Sequence, residues 1–199
     1  MEKLSRRSFL KSTSLGMTFL ATQAYSQGFS NLIFENKKQN NIKLDYVIYD
    51  KDIKRSKEFA KKMLILGTKT YEIDKDVSQL WREVIKPTWG YGKDASIAGL
   101  TSYETMFVLE KIAFDNGMLM YFNAEHNIQN GNVNNNLNLS NKKTAKDLKR
   151  YSLTDALALN FTQYPYERIS SNSNIFANKE ENKNNEILYS WIIAPRKVS

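Results

Sequence analysis

The chain has 199 residues, no cysteine and one histidine, which excludes disulfides, iron–sulfur clusters, thiolate metal sites and multi-histidine zinc or copper centres. A formal net charge of +8, with 41% hydrophobic and 25% charged residues, describes a basic globular chain. Basic residues are not interleaved with aromatics in any run, so the charge does not point to nucleic acid.

The first informative stretch is SRRSFLK, residues 5–11. With Lys3 it forms a positive segment, followed by mildly apolar residues 12–23, too short and too polar to span a bilayer. Ala24-Tyr25-Ser26 then places small residues at both cleavage-determining positions. This run resembles the twin-arginine export signal, Ser/Thr-Arg-Arg-x-Phe-Leu-Lys, and matches each of its fixed positions. The resemblance implies that the protein folds before export and passes the twin-arginine translocase to the periplasm, with Arg6 and Arg7 as the recognised pair. Cutting after Ser26 removes four Lys/Arg and one Asp/Glu, so the net charge falls from +8 to +5.

Residues 27–43 are polar and Asn/Lys-rich and read as a flexible lead-in to a single domain, 44–199. LDYVIY, 44–49, is β-branched and aromatic and predicts a strand ended by Asp50. From Asp52 the period turns helical, with Ile53, Ser56, Ala60, Met63, Leu64 and Gly67 on one face. KTYEI, 69–73, predicts a second strand. Val77, Leu80, Trp81, Val84 and Ile85 predict a helix that Pro87 ends, followed by the loop TWGYGKD. ASIAG, 95–99, predicts a third strand. A helix from Thr101 to Asn116 is apolar nearly all round and expected to be deeply packed. MLMYFNA, 118–124, predicts a fourth strand.

Beyond His126, eight of the sixteen residues from Asn127 to Lys142 are asparagine, which reads as surface loop, as do residues 172–185. Short helices at 143–150 and 153–163 lie between, and ILYSWIIA, 187–194, predicts a terminal strand. Strand and helix alternate four times in about 80 residues, which predicts an α/β fold. The expected form is a mainly parallel sheet with helices on both faces. The stretch SIAGLTSYETMFVLEKIAFDNGMLMYFNAEH is similar to uncharacterised bacterial exported proteins, and no activity follows from it.

In open parallel sheets the ligand crevice lies beyond the carboxyl ends of the strands. The expected ends are Asp50, Asp74, Gly99 to Ser102 and Glu125-His126, with Trp89 on a nearby loop. Two Asp-Lys-Asp echoes, 50–52 and 74–76, offer oxygen ligands for a hard cation, or plain helix caps. Gly99 and Thr101 suggest an anion site at a helix start, or a capping box of Thr101 with Glu104. His126 beside Glu125 could serve as general base for Ser102 or Thr101, although the nucleophile-elbow pattern is missing. No cofactor, metal, nucleic-acid partner or stable membrane span is expected. The leading expectation is a periplasmic accessory or binding protein beside an exported redox enzyme. The alternatives are a small hydrolase or transferase using His126, Glu125 and Thr101 or Ser102, or a domain binding an anionic small molecule.

Overall fold

A computed structural model of the chain describes residues 40–177 and 184–196. The export signal, Arg6 and Arg7 included, and most of the expected lead-in lie outside the described residues. Its last residues are docked: Ile42 is buried and its N–H donates to the Tyr164 carbonyl at 2.8 Å.

Among the described residues seven strands form one sheet: β1 Tyr46–Asp50, β2 Lys69–Ile73, β3 Ile97–Thr101, β4 Met118–Gln129, β5 Asn132–Leu139, β6 Ser170–Ala177 and β7 Glu186–Pro195. Their order is β2-β1-β3-β7-β4-β5-β6. Only β1–β2 and β1–β3 are parallel; the other four pairs are antiparallel. The expected mainly parallel sheet is therefore corrected to a mixed one, within the α/β class. The terminal strand makes two of these antiparallel pairs, since β7 inserts between β3 and β4 and runs against both, and the meander β4-β5-β6 makes the other two.

The asparagine-rich stretch read as loop is also strand. β4 continues to Gln129 and reverses through Asn130 and Gly131, both at positive φ (50° and 81°), into β5. That two-residue turn with two left-handed positions matches the twist of a hairpin. Along β5, Val133, Asn135 and Leu137 are buried while Asn132, Asn134 and Asn136 lie on the other face. β6 likewise occupies part of the second expected loop.

Among the described residues five helical segments accompany the sheet. On one face lie α1 (Lys54–Ile65), α4 (Lys142–Arg150) and α5 (Leu153–Phe161). Phe59 of α1 meets Phe161 of α5 edge-on at 5.5 Å, and Phe161 meets Phe122 of β4 at 5.1 Å. The buried face of α1 is Arg55, Ser56, Phe59, Ala60 and Met63, whereas Leu64, expected inside, is exposed.

On the other face lie α2 and α3. α2 (residues 78–91) is helical throughout but changes pitch, with a wide π-turn at Trp81–Ile85 and a tight 3₁₀ turn at Trp89–Tyr91. The expected stop at Pro87 is passed, because Pro87 stands in the first turn of the α-helical piece Lys86–Thr88, where no N–H is needed. The helix ends instead at Gly92, at φ 66°. α3 (Tyr103–Asp115) buries only Thr105, Met106, Leu109 and Ala113, and Phe114 is 73% exposed, so it packs by one face rather than all round. Leu80, Ile85, Met106, Leu109, Trp191 and Ile193 belong to the core between these helices and the sheet.

Candidate functional site

Three parallel strands end side by side, and a cleft of about 380 Å³ lies beyond β1, β2 and β3. It is lined by Asp50, Lys51, Asp52, Ile53, Ile73, Lys75, Ser102 and Glu104, and its size suits a small molecule. Asp50 is the last residue of β1 and only 3% exposed. Its backbone N–H donates to Ser56 Oγ at 2.9 Å, and the Ser56 hydroxyl donates to the Leu100 carbonyl, so α1 ties the ends of β1 and β3 together.

The Asp50 carboxyl is half satisfied. Oδ2 accepts from the Ser102 N–H at 2.9 Å, at the start of α3, while buried Oδ1 has no hydrogen-bond partner. Burial raises the pKa of this carboxyl; the Ser102 N–H opposes that shift, and Asp52 and Glu104 reinforce it. A buried carboxyl oxygen with no partner costs stability, and such groups concentrate where a protein meets a ligand.

Around this group the charges are mixed, with carboxylates in excess. Asp52 and Glu104 join Asp50, against Lys51 and Lys75. Lys51 Nζ is already paired with Asp74 at the margin of the cleft. Lys75 has a left-handed backbone, φ 56°, in a tight turn where the Asp76 N–H donates to the Asp74 carbonyl at 2.5 Å.

The structure brings two of the expected site residues, Asp50 and Ser102, into direct contact, with Asp74 close by through Lys51. The others lie elsewhere. Gly99 is mid-strand, because β3 runs two residues beyond its expected end, and the Trp191 ring covers it. Thr101 is fully buried and its Oγ1 accepts from Trp191 Nε1 at 3.0 Å. Trp89 stands in the last turn of α2 rather than on a loop, buried in the core, and its Nε1 donates to the Ala95 carbonyl at 2.8 Å.

Glu125 and His126 part company. Glu125 stands level with Thr101, across β7 at Tyr189, and accepts from the Tyr189 hydroxyl at 2.8 Å. His126, one residue on, faces the opposite side of the sheet, fully buried between Asn135 and Ser190. The single crevice joining His126 to Thr101 and Ser102 is therefore not formed.

Capping is also redistributed. Ser102, not Thr101, caps α3, its Oγ accepting from the Thr105 N–H at 3.4 Å. The first Asp-Lys-Asp echo does not cap its own helix: Ile53 stands at that position without a side-chain bond. The second does hold a helix start, with Asp76 Oδ1 accepting from the Ser78 N–H at 2.8 Å, and hydrogen bonds from the Ser78 hydroxyl and then its N–H lower the Asp76 pKa.

Sequence reasoning gave no ligand role to Ile53, Ile73, Lys75 or Glu104. The parallel order of β1, β2 and β3 was the signal that gathers them. Among the described residues no three His, Cys, Asp or Glu side chains gather to hold a metal ion, and no helix is long and apolar enough to cross a membrane. The fold and site define the class, a mixed-sheet α/β protein with a strand-end cleft around a buried carboxyl. No protein family, curated protein or solved structure matches the chain.

Proposed function

We propose that the protein is a periplasmic accessory or binding protein, exported already folded and acting beside an exported oxidoreductase, with a small-molecule ligand seated in the Asp50 cleft. The observation that carries the binding role is the buried Asp50 carboxyl with one unpartnered oxygen at the carboxyl ends of three parallel strands. The hydrolase or transferase alternative lacks geometric support, since His126 and Ser102 lie on different sides of the sheet system. The anion-binding alternative at Gly99 and Thr101 is not favoured either, since the Trp191 ring occupies that place.

Native mass spectrometry of protein purified from the periplasm tests the binding role. A small molecule is expected on the wild type and is expected to be lost from Asp50→Asn at unchanged circular dichroism. The same molecule on both proteins, or on neither, removes the cleft from the function.

Support for the location comes from SRRSFLK alone. Replacing Arg6 and Arg7 together by Lys is expected to leave full-length protein in the cytoplasm, because the arginine pair is read as an address rather than as charge. Fractionation with an immunoblot checks this, and normal periplasmic accumulation of the double variant would exclude the twin-arginine route. The partner is tested by cross-linking in periplasmic extract, where an exported oxidoreductase is the expected capture.

A further inference from the structure

The chemistry of the cleft narrows its occupant, on the premise that the cleft is the binding element proposed above. We propose that it takes a small primary amine, the ammonium donating to Asp50 Oδ1 and the hydrocarbon stem lying between Ile53 and Ile73.

Three observations converge on this class. The first is charge. Asp50, Asp52 and Glu104 line the cleft against Lys51 and Lys75, and Lys51 is already paired with Asp74. The surplus of carboxylate favours a cation and opposes phosphate or carboxylate ligands.

The second is the hydrogen-bonding capacity of the buried carboxyl. A guanidinium seeks both oxygens of a carboxylate in a fork. Here Oδ2 is held by the Ser102 N–H, and a single oxygen, Oδ1, remains. One free acceptor matches a point donor, as an ammonium is. The carboxylates are also not gathered closely enough to form a metal site among the described residues.

The third is the apolar wall. Ile73 is buried and Ile53 half-buried, and both line the cleft beside the carboxyl. A bare ion would leave that wall unused, whereas an alkyl stem covers it. Lys75 also lines the cleft, where its charge favours the ionised form of Asp50 and opposes an incoming ammonium.

Isothermal titration of the folded protein with n-butylamine, n-butanol and inorganic phosphate at neutral pH tests the inference. Saturable binding of butylammonium, with none of butanol or phosphate, is expected. Asp50→Asn is expected to weaken it about tenfold or more, as loss of a charge-assisted hydrogen bond does. Lys75→Ala is expected to tighten it a few-fold by removing like charge. Backbone amide shifts should move at Ser102 and Ile53 of the wild type on binding, and the dispersion of the ligand-free amide spectrum shows that a variant remains folded. Phosphate binding in place of the amine overturns the amine inference and leaves the cleft as a binding site. Absence of amine binding from a protein that still co-purifies with a small molecule lost in Asp50→Asn overturns it likewise. Absence of any ligand by both measurements overturns the cleft reading itself.

Discussion

Trp191→Ala is expected to lower the stability of the domain by about 3–5 kcal/mol, in the range for deleting a large buried aromatic. Trp191 is fully buried on β7, the strand that joins the parallel and antiparallel halves of the sheet. Its ring lies over Gly99 of β3 and its Nε1 donates to Thr101 Oγ1 at 3.0 Å. Truncation removes core packing and leaves a buried hydroxyl without that donor.

The complementary change acts on the other side of the same contact. A Cβ at Gly99 would stand 2.4 Å from Trp191 Cζ2 and 3.1 Å from the Ile48 carbonyl oxygen. Gly99→Ala is therefore expected to cost about 1–3 kcal/mol, because the ring must move. In the Trp191→Ala background the ring clash is gone and only the 3.1 Å approach to the Ile48 carbonyl remains, so the two losses should be clearly less than additive. Urea denaturation of the four proteins measures the coupling. Simple additivity, or a loss below about 1 kcal/mol for Trp191→Ala, would contradict this account.

The elements near the site were readable because their local signals agree with their environment. Tyr46 to Asp50 and Lys69 to Ile73 are rich in β-branched and aromatic residues, each is followed by a helical run, and helical crossovers favour parallel pairing. Asp50 followed from that reading. What failed was composition used in place of periodicity. In β5 the asparagines at 132, 134 and 136 hold one face while Val133 and Leu137 hold the other, and Asn130-Gly131 was a direct hairpin signal. Asparagine is a poor strand former in isolation, but cross-strand pairing in a sheet overrides that preference.

The position of β7 between β3 and β4 was beyond local reading. Its pairing with β3 spans about ninety residues, and an apolar terminal strand fits a parallel or an antiparallel slot equally well. Glu125 and His126 carried a related lesson. Neighbours in sequence look like a pair, but within a strand they belong to opposite faces. A site built on both needs the strand to end between them, and β4 continues to Gln129.

Acid is expected to destabilise the domain through His126. The imidazole is fully buried, and burial lowers its pKa from the ordinary 6.5 to about 4, against an opposing contribution from Asn135. Its Nδ1 lies 2.6 Å from Asn135 Oδ1, and Asn135 Nδ2 donates to the Ile175 carbonyl at 3.1 Å. Asn135 thus offers its oxygen to the ring, so Nδ1 carries the proton and Nε2 accepts from Ser190 Oγ at 2.6 Å. A second proton on Nε2 would displace the Ser190 hydroxyl proton from that bond and place a charge in the core.

The sign follows from the two pKa values. Above the unfolded value near 6.5 both states hold a neutral ring and His126 adds no pH dependence. Below it the unfolded chain takes up the proton first, so stability falls until the folded ring also titrates near 4. The separation corresponds to about 3 kcal/mol, of which about 2–3 kcal/mol is lost by pH 4.5. His126→Gln keeps a polar side chain without this titration, and carboxylates common to both proteins cancel in the difference. The advantage of wild type over His126→Gln in urea melts should therefore shrink by about 2–3 kcal/mol between pH 7.5 and pH 4.5. A gap that stays constant, or an imidazole resonance that titrates near 6.5 in the folded protein, would show that the ring reaches water rather than the interior.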